Sequence, residues 1–132
     1  MPPCANCQRQ TQILILDDEP IVCKRLKPGF QKAGYGVETF TDSGLAMARI
    51  EQKRFDVVIT DLKMEGIDGM QFLVRVKQIY PDTGVIVITG YGGAEIAKES
   101  FKKGAFDFIA KPFKLGEIIE AVKRFEKSRK KD

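Results

Sequence analysis

Five short apolar runs, each followed by a stretch whose apolar residues recur at helical spacing, restrict this 132-residue chain to a small set of folds. The runs lie at residues 13–16, 37–41, 55–60, 85–89 and 106–110 and read as strands. After the first, Val22, Leu26 and Phe30 mark one helix face, with Gly34 as its stop. Ser43 can cap a second helix that buries Ala46, Met47 and Ile50. Asp68 caps a third, which turns Met70, Leu73, Val76 and Ile79 or Tyr80 inward and ends at Pro81. A fourth spans residues 94–103 and closes at Gly104. The fifth carries Leu115, Ile118, Ile119, Val122 and Phe125. Strands apolar on both faces, alternating with helices, require a parallel sheet covered on both sides. Right-handed crossovers then give a doubly wound α/β domain of order 2-1-3-4-5. One local conflict is Pro28, inside the first helix, where the neighbouring Gly29 favours a kink or break.

In such a sheet, ligands bind beyond the carboxyl ends of the strands. Strand one ends in Asp17-Asp18-Glu19, strand three in Asp61, strand four in Thr89 and strand five in Lys111-Pro112. Clustered carboxylates repel and resist ionising together unless a cation joins them. Oxygen donors of this kind suit magnesium, or another hard divalent ion such as manganese. With that charge balanced, Asp61 can act as an ionised nucleophile toward phosphorus. Lys111 and the Thr89 hydroxyl can then bind phosphoryl oxygens. A lone Asp after a strand is ordinarily only a helix cap. Matching residues at four strand ends, in chain order, make that reading insufficient here.

The composition narrows the chemistry further. The chain has no histidine, so histidine acid/base catalysis and a phosphohistidine of its own are excluded. Six Lys or Arg against two acids in residues 123–132 account for the whole net charge of +4. That block reads as a solvated terminal tail and not as a nucleic-acid-binding face. Cys4 and Cys7 form a C-x-x-C in a proline-containing leader, with one further cysteine, too few ligands for a structural zinc site. Cys23 falls on a helix face as a small packed side chain. The longest aliphatic runs are four residues, far short of the roughly 20 needed to cross a bilayer. With no secretory-type apolar leader, the expected location is the cytoplasm. The expected organisation is an arm at residues 1–11, one domain at 12–126, and a basic tail or linker start at 127–132.

Over roughly residues 12–125 the chain resembles the receiver domain of two-component response regulators. The motifs that carry the resemblance are Ile-Leu-Asp17-Asp18-Glu19, Val-Ile-Thr-Asp61-Leu-Lys-Met, Ile-Thr89-Gly-Tyr-Gly and Ala-Lys111-Pro112-Phe113. The resemblance implies the flavodoxin-like (βα)5 form of the fold and a phosphoryl group received on Asp61 from the phosphohistidine of a sensor histidine kinase. It makes Asp18 the main magnesium ligand, assisted by Asp17, Asp61 and the backbone carbonyl of Lys63. Thr89 and Lys111 hold the phosphate, Thr89 and Phe108 relay the switch, and the Lys111–Pro112 bond is cis. It further implies a signalling phosphoacceptor and not an enzyme, limited to self-phosphotransfer and self-dephosphorylation. A homodimer through the face of the fourth helix, last strand and last helix is one form its output takes, and the domain itself contacts neither membrane nor nucleic acid. Thr89-Gly90-Tyr91-Gly92 is similar to receivers of ATP-dependent transcriptional activators. One departure is Met64-Glu65-Gly66, where the family usually has Met-Pro. The change removes a loop-stiffening proline and adds a carboxylate near Asp61.

Two rival readings fail on residues. A haloacid-dehalogenase-type phosphatase wants Asp-x-Asp at its nucleophile, where this chain has Asp61-Leu62-Lys63. A flavin carrier needs a hydroxyl- and glycine-rich phosphate loop after strand one, where three acids stand.

Overall fold

The computed structural model describes residues 10–62, 68–90 and 93–129. Among the described residues, strands and helices alternate as β1 (Gln12–Leu16), α1 (Pro20–Lys32), β2 (Gly36–Phe40), α2 (Ser43–Gln52), β3 (Val57–Thr60), α3 (Gly69–Ile79), β4 (Gly84–Thr89), α4 (Ala94–Lys102), β5 (Asp107–Ala110) and α5 (Leu115–Arg129). The strands form one parallel sheet in the order β2-β1-β3-β4-β5. The topology is the doubly wound one expected from the alternating pattern.

Strand periodicity divides the core into two compartments. Ile13, Ile15, Val57, Ile59, Ile86 and Ile88 pack against Leu26 and Phe30 of α1 and Ile118 and Val122 of α5. On the other face Leu14, Leu16, Val58, Val85 and Val87 meet Ala46 and Ile50 of α2 and Phe72, Leu73 and Val76 of α3. Each such Val, Leu, Ile or Phe side chain, fully buried, contributes about 1.5–3 kcal/mol. The central strands are therefore apolar on both faces, whereas β2, at the sheet edge, is half-buried along its whole length. The helices α1 and α2 flank this edge without sealing it.

Several local expectations need correction. The cap of α2 is Asp42 and not Ser43. Asp42 is extended, and its carboxylate accepts from the N–H of Gly44 at 2.7 Å and of Leu45 at 3.3 Å. Ser43 instead begins the helix and is buried. The cap of α3 is Asp68, as expected, accepting from Gln71 N–H at 2.9 Å. Buried Phe72 was missing from the expected face of that helix, while Met70, Ile79 and Tyr80 are only partly buried. The helix α1 runs through Pro28 without a break. Pro28 and Lys24 are both exposed residues of the helix, so water can serve the Lys24 carbonyl that loses its donor. Gly29 answers a packing need, since a β-carbon there would overlap the Leu115 side chain. The last helix continues to Arg129, so residues 127–129 are helical and not tail. Cys23 is buried, with its thiol 3.8 Å from the Asp17 carbonyl. Among the described residues, no helix is long and apolar enough to cross a membrane.

Candidate functional site

Sheet register brings the strand ends together. Leu16 pairs with Thr60, so the next residues, Asp17 and Asp61, emerge side by side. The Asp61 N–H donates to the Leu16 carbonyl at 3.0 Å, and the Asp17 N–H to the Phe40 carbonyl at 3.1 Å. Thr89 pairs with Ala110, and the Lys111 N–H donates to the Thr89 carbonyl at 2.9 Å. Hydrogen bonding thus extends one residue past the strands and fixes the backbone under Asp17, Asp61 and Lys111.

Asp17, Asp18 and Asp61 each place a carboxylate oxygen within 4.8 Å of the others. Asp17 and Asp61 are buried, and Asp18 is exposed at the mouth. Lys111 reaches into this group. Its ammonium lies 2.8 Å from Asp17 Oδ2, 2.8 Å from Glu19 Oε1 and 3.0 Å from Asp61 Oδ2. Asp17 Oδ1 accepts the Glu19 N–H at 2.9 Å. Oδ2 is buried and, among the described residues, accepts no hydrogen bond of good geometry; its contact is the Lys111 ion pair.

The electrostatics follow from burial. Removal from water pushes the Asp17 carboxyl above the usual carboxylate range, and the Lys111 ammonium and Glu19 N–H offset this only in part. Burial also works against the charge on Lys111, but its contacts with Asp17, Glu19 and Asp61 outweigh that and raise its pKa. The ammonium stays charged across the physiological range. A buried carboxylate oxygen short of hydrogen bonds, inside a set of hard oxygen donors, fits a divalent cation. The acidic cluster can therefore hold a metal.

Other expected residues lie on β4 and β5. Thr89 is buried at the end of β4. Phe108, beside Val87 in the sheet, is half-buried against the compartment of α2 and α3. The Lys111–Pro112 peptide is cis. Lys63, Glu65, Tyr91, Cys4 and Cys7 lie outside the described residues. Two contributors were not assigned a role from sequence. Glu19 binds Lys111, and Gly69 lets the start of α3 approach Asp61, since a β-carbon there would overlap the Asp61 carbonyl oxygen. A glycine directly after a helix cap, where most residues serve better, was the available signal for Gly69.

The family model of the response regulator receiver domain matches residues 13–123. The chain belongs to that family. Receiver domains of two-component response regulators serve as phosphoacceptors, and that function belongs to this chain as a member. It is 35% identical to the C4-dicarboxylate transport transcriptional regulatory protein DctD of Pseudomonas aeruginosa, over 94% of this chain and 27% of that protein. It is 36% identical to sporulation initiation phosphotransferase F of Bacillus subtilis, over 86% of this chain and 92% of the relative. A solved beryllofluoride-activated NtrC4 receiver domain dimer superposes with a TM-score of 0.81 at 32% identity, covering 86% of this chain and 94% of that one. This receiver spans only about a quarter of the length of regulators such as DctD.

Proposed function

We propose that Asp61 is the residue on which this receiver carries its phosphoryl group, taken from the phosphohistidine of a sensor histidine kinase. The observation that carries the reading is the Asp61 carboxylate held 3.0 Å from the Lys111 ammonium inside a pocket shared with Asp17 and Asp18. An Asp61 oxygen forms the new bond to phosphorus as the phosphorus–nitrogen bond of the donor breaks. The imidazole leaves with the electron pair and takes up a proton. Lys111 pairs with one phosphoryl oxygen in place of the carboxylate charge it now meets, and the Thr89 hydroxyl bonds another. Asp17, Asp18 and Asp61, with the Lys63 carbonyl, would hold magnesium, which when bound neutralises charge on the phosphoryl oxygens.

The product is an aspartyl phosphate that the chain later loses by hydrolysis, so its chemistry is confined to its own phosphoryl group. Thr89 drawn toward that group leaves space for Phe108, whose ring has no hydroxyl and is held by packing alone. The cytoplasm is the compartment where such a kinase would meet it. Likeness to a receiver solved as an activated dimer supports pairing as the output, and the family resemblance points to α4, β5 and α5 as its face.

Incubation with acetyl phosphate and magnesium tests the central step. One phosphoryl mass should be added to the chain, and none to Asp61→Asn; labelling of that variant would remove Asp61 from the role. Solution mass with and without beryllofluoride tests pairing, since an unchanged mass would favour a partner-binding switch that stays monomeric.

A further inference from the structure

Glu19 sits at the start of α1 in the cap position, yet its side chain makes no cap hydrogen bond. The next residue is Pro20, which has no N–H to satisfy. The carboxylate instead reaches across to the end of β5 and meets Lys111 at 2.8 Å. Its backbone is fixed from below, because the Glu19 N–H donates to Asp17 Oδ1. The Glu19 side chain is 58% exposed, against 17% for Lys111 and 0% for Asp17. An ion pair so exposed adds little to stability, so its stability value does not account for the arrangement.

What sets Glu19 apart is its place among the partners of Lys111. Asp17 and Asp61 belong to the acidic cluster that can hold a metal, and Asp61 is the proposed acceptor; Glu19 belongs to neither set. When those two carboxylates are engaged otherwise, Glu19 is the contact that keeps the ammonium over the pocket. A lysine side chain has four rotatable bonds and, released, samples many positions in solvent. Resting on the reading of Asp61 as phosphoacceptor, we propose that Glu19 is a positioning residue. It holds the Lys111 ammonium at the mouth of the pocket, ready for a phosphoryl oxygen.

The test reads Lys111 directly and the reaction separately. Wild-type protein, Glu19→Ala and Glu19→Gln are methylated with formaldehyde and borane, and Lys111 is followed by peptide mass spectrometry. Phosphorylation by acetyl phosphate is then measured over a range of donor concentrations. In Glu19→Ala, Lys111 should methylate several-fold faster, with the other lysines unchanged. The maximal phosphorylation rate should fall about fivefold to tenfold, as expected for a misplaced charge, without a rise in the half-saturating donor concentration. Glu19→Gln, which keeps an oxygen acceptor, should lie between. Unchanged Lys111 reactivity overturns the proposal, as does faster methylation with an unaltered maximal rate. Wild-type protein that takes no phosphoryl group from the donor would instead bring down the reading of Asp61, and this inference with it.

Discussion

Gly69 and Asp61 approach so closely that a β-carbon on Gly69 would stand 2.5 Å from the Leu62 Cα and overlap the Asp61 carbonyl oxygen. The start of α3 is thereby seated against the backbone of the acceptor aspartate, and the Gly69 N–H donates to the Leu62 carbonyl at 3.0 Å. Backbone, unlike the tip of a side chain, cannot swing aside. Gly69→Ala should therefore destabilise the protein by about 1–3 kcal/mol, although alanine is otherwise the better helix former. A denaturant midpoint equal to or above that of the wild type would contradict the close approach.

The second expectation concerns Asp17. Its ionised form is the one that burial disfavours, so its folded pKa lies above the unfolded value of about 3.8. The folded state then binds the proton more tightly, and stability drops as pH rises from that unfolded value through the folded one. In the presence of a chelator, Asp17→Asn should raise the denaturant midpoint at neutral pH, with the gain disappearing below about pH 4. Calorimetric titration of the same variant should show weakened magnesium binding. A midpoint that falls at neutral pH would show that the Lys111 pair outweighs the burial cost.

Glu38 gives the opposite sign. Its carboxylate accepts from Arg49 at 2.8 and 2.9 Å and from Lys53 at 3.2 Å, and these contacts, Arg49 first, lower its pKa. Stability from a lowered carboxylate is present above its unfolded pKa and lost as pH falls through the folded one. Glu38→Gln should cost less than about 1 kcal/mol at neutral pH, because the pair is partly solvated. The difference from wild type should shrink with added salt and vanish in acid. Urea titrations at several pH values check this, and a pH-independent difference would place the effect in packing.

Asp42 supplies a fourth expectation. Its carboxylate satisfies two N–H groups at the start of α2. Asp42→Ala should cost about 1 kcal/mol, and Asp42→Ser should recover most of it. Equal midpoints for the three proteins would mean that solvent serves these donors as well.

The sequence discloses the architecture because the central strands are apolar on both faces and the helices on one. Asp17, Asp61, Thr89 and Lys111 were legible because each immediately follows or ends an apolar run, and Asp18 because it adjoins Asp17. Less visible were features that depend on distance in space. Ser43 and Asp42 both suit a cap, and only the backbone path decides between them. Phe72 lies beside Leu73 on a helix stripe wider than the expected one. Glu19 and Lys111 are 92 residues apart, and nothing in either neighbourhood announces their contact. Gly69 acts through the atom it lacks.

The sheet that separates the two compartments also separates their tolerances. Among the described residues, Phe30 and Ile118 belong to one packed group and Ile50 and Phe72 to the other, while every strand that carries the site borders both groups. Substitutions on opposite faces should accordingly add in free energy, and substitutions within one face should couple. A lineage can thus remodel the surface it shows to one partner, helix by helix, and leave the opposite surface and the acidic rim with their old geometry.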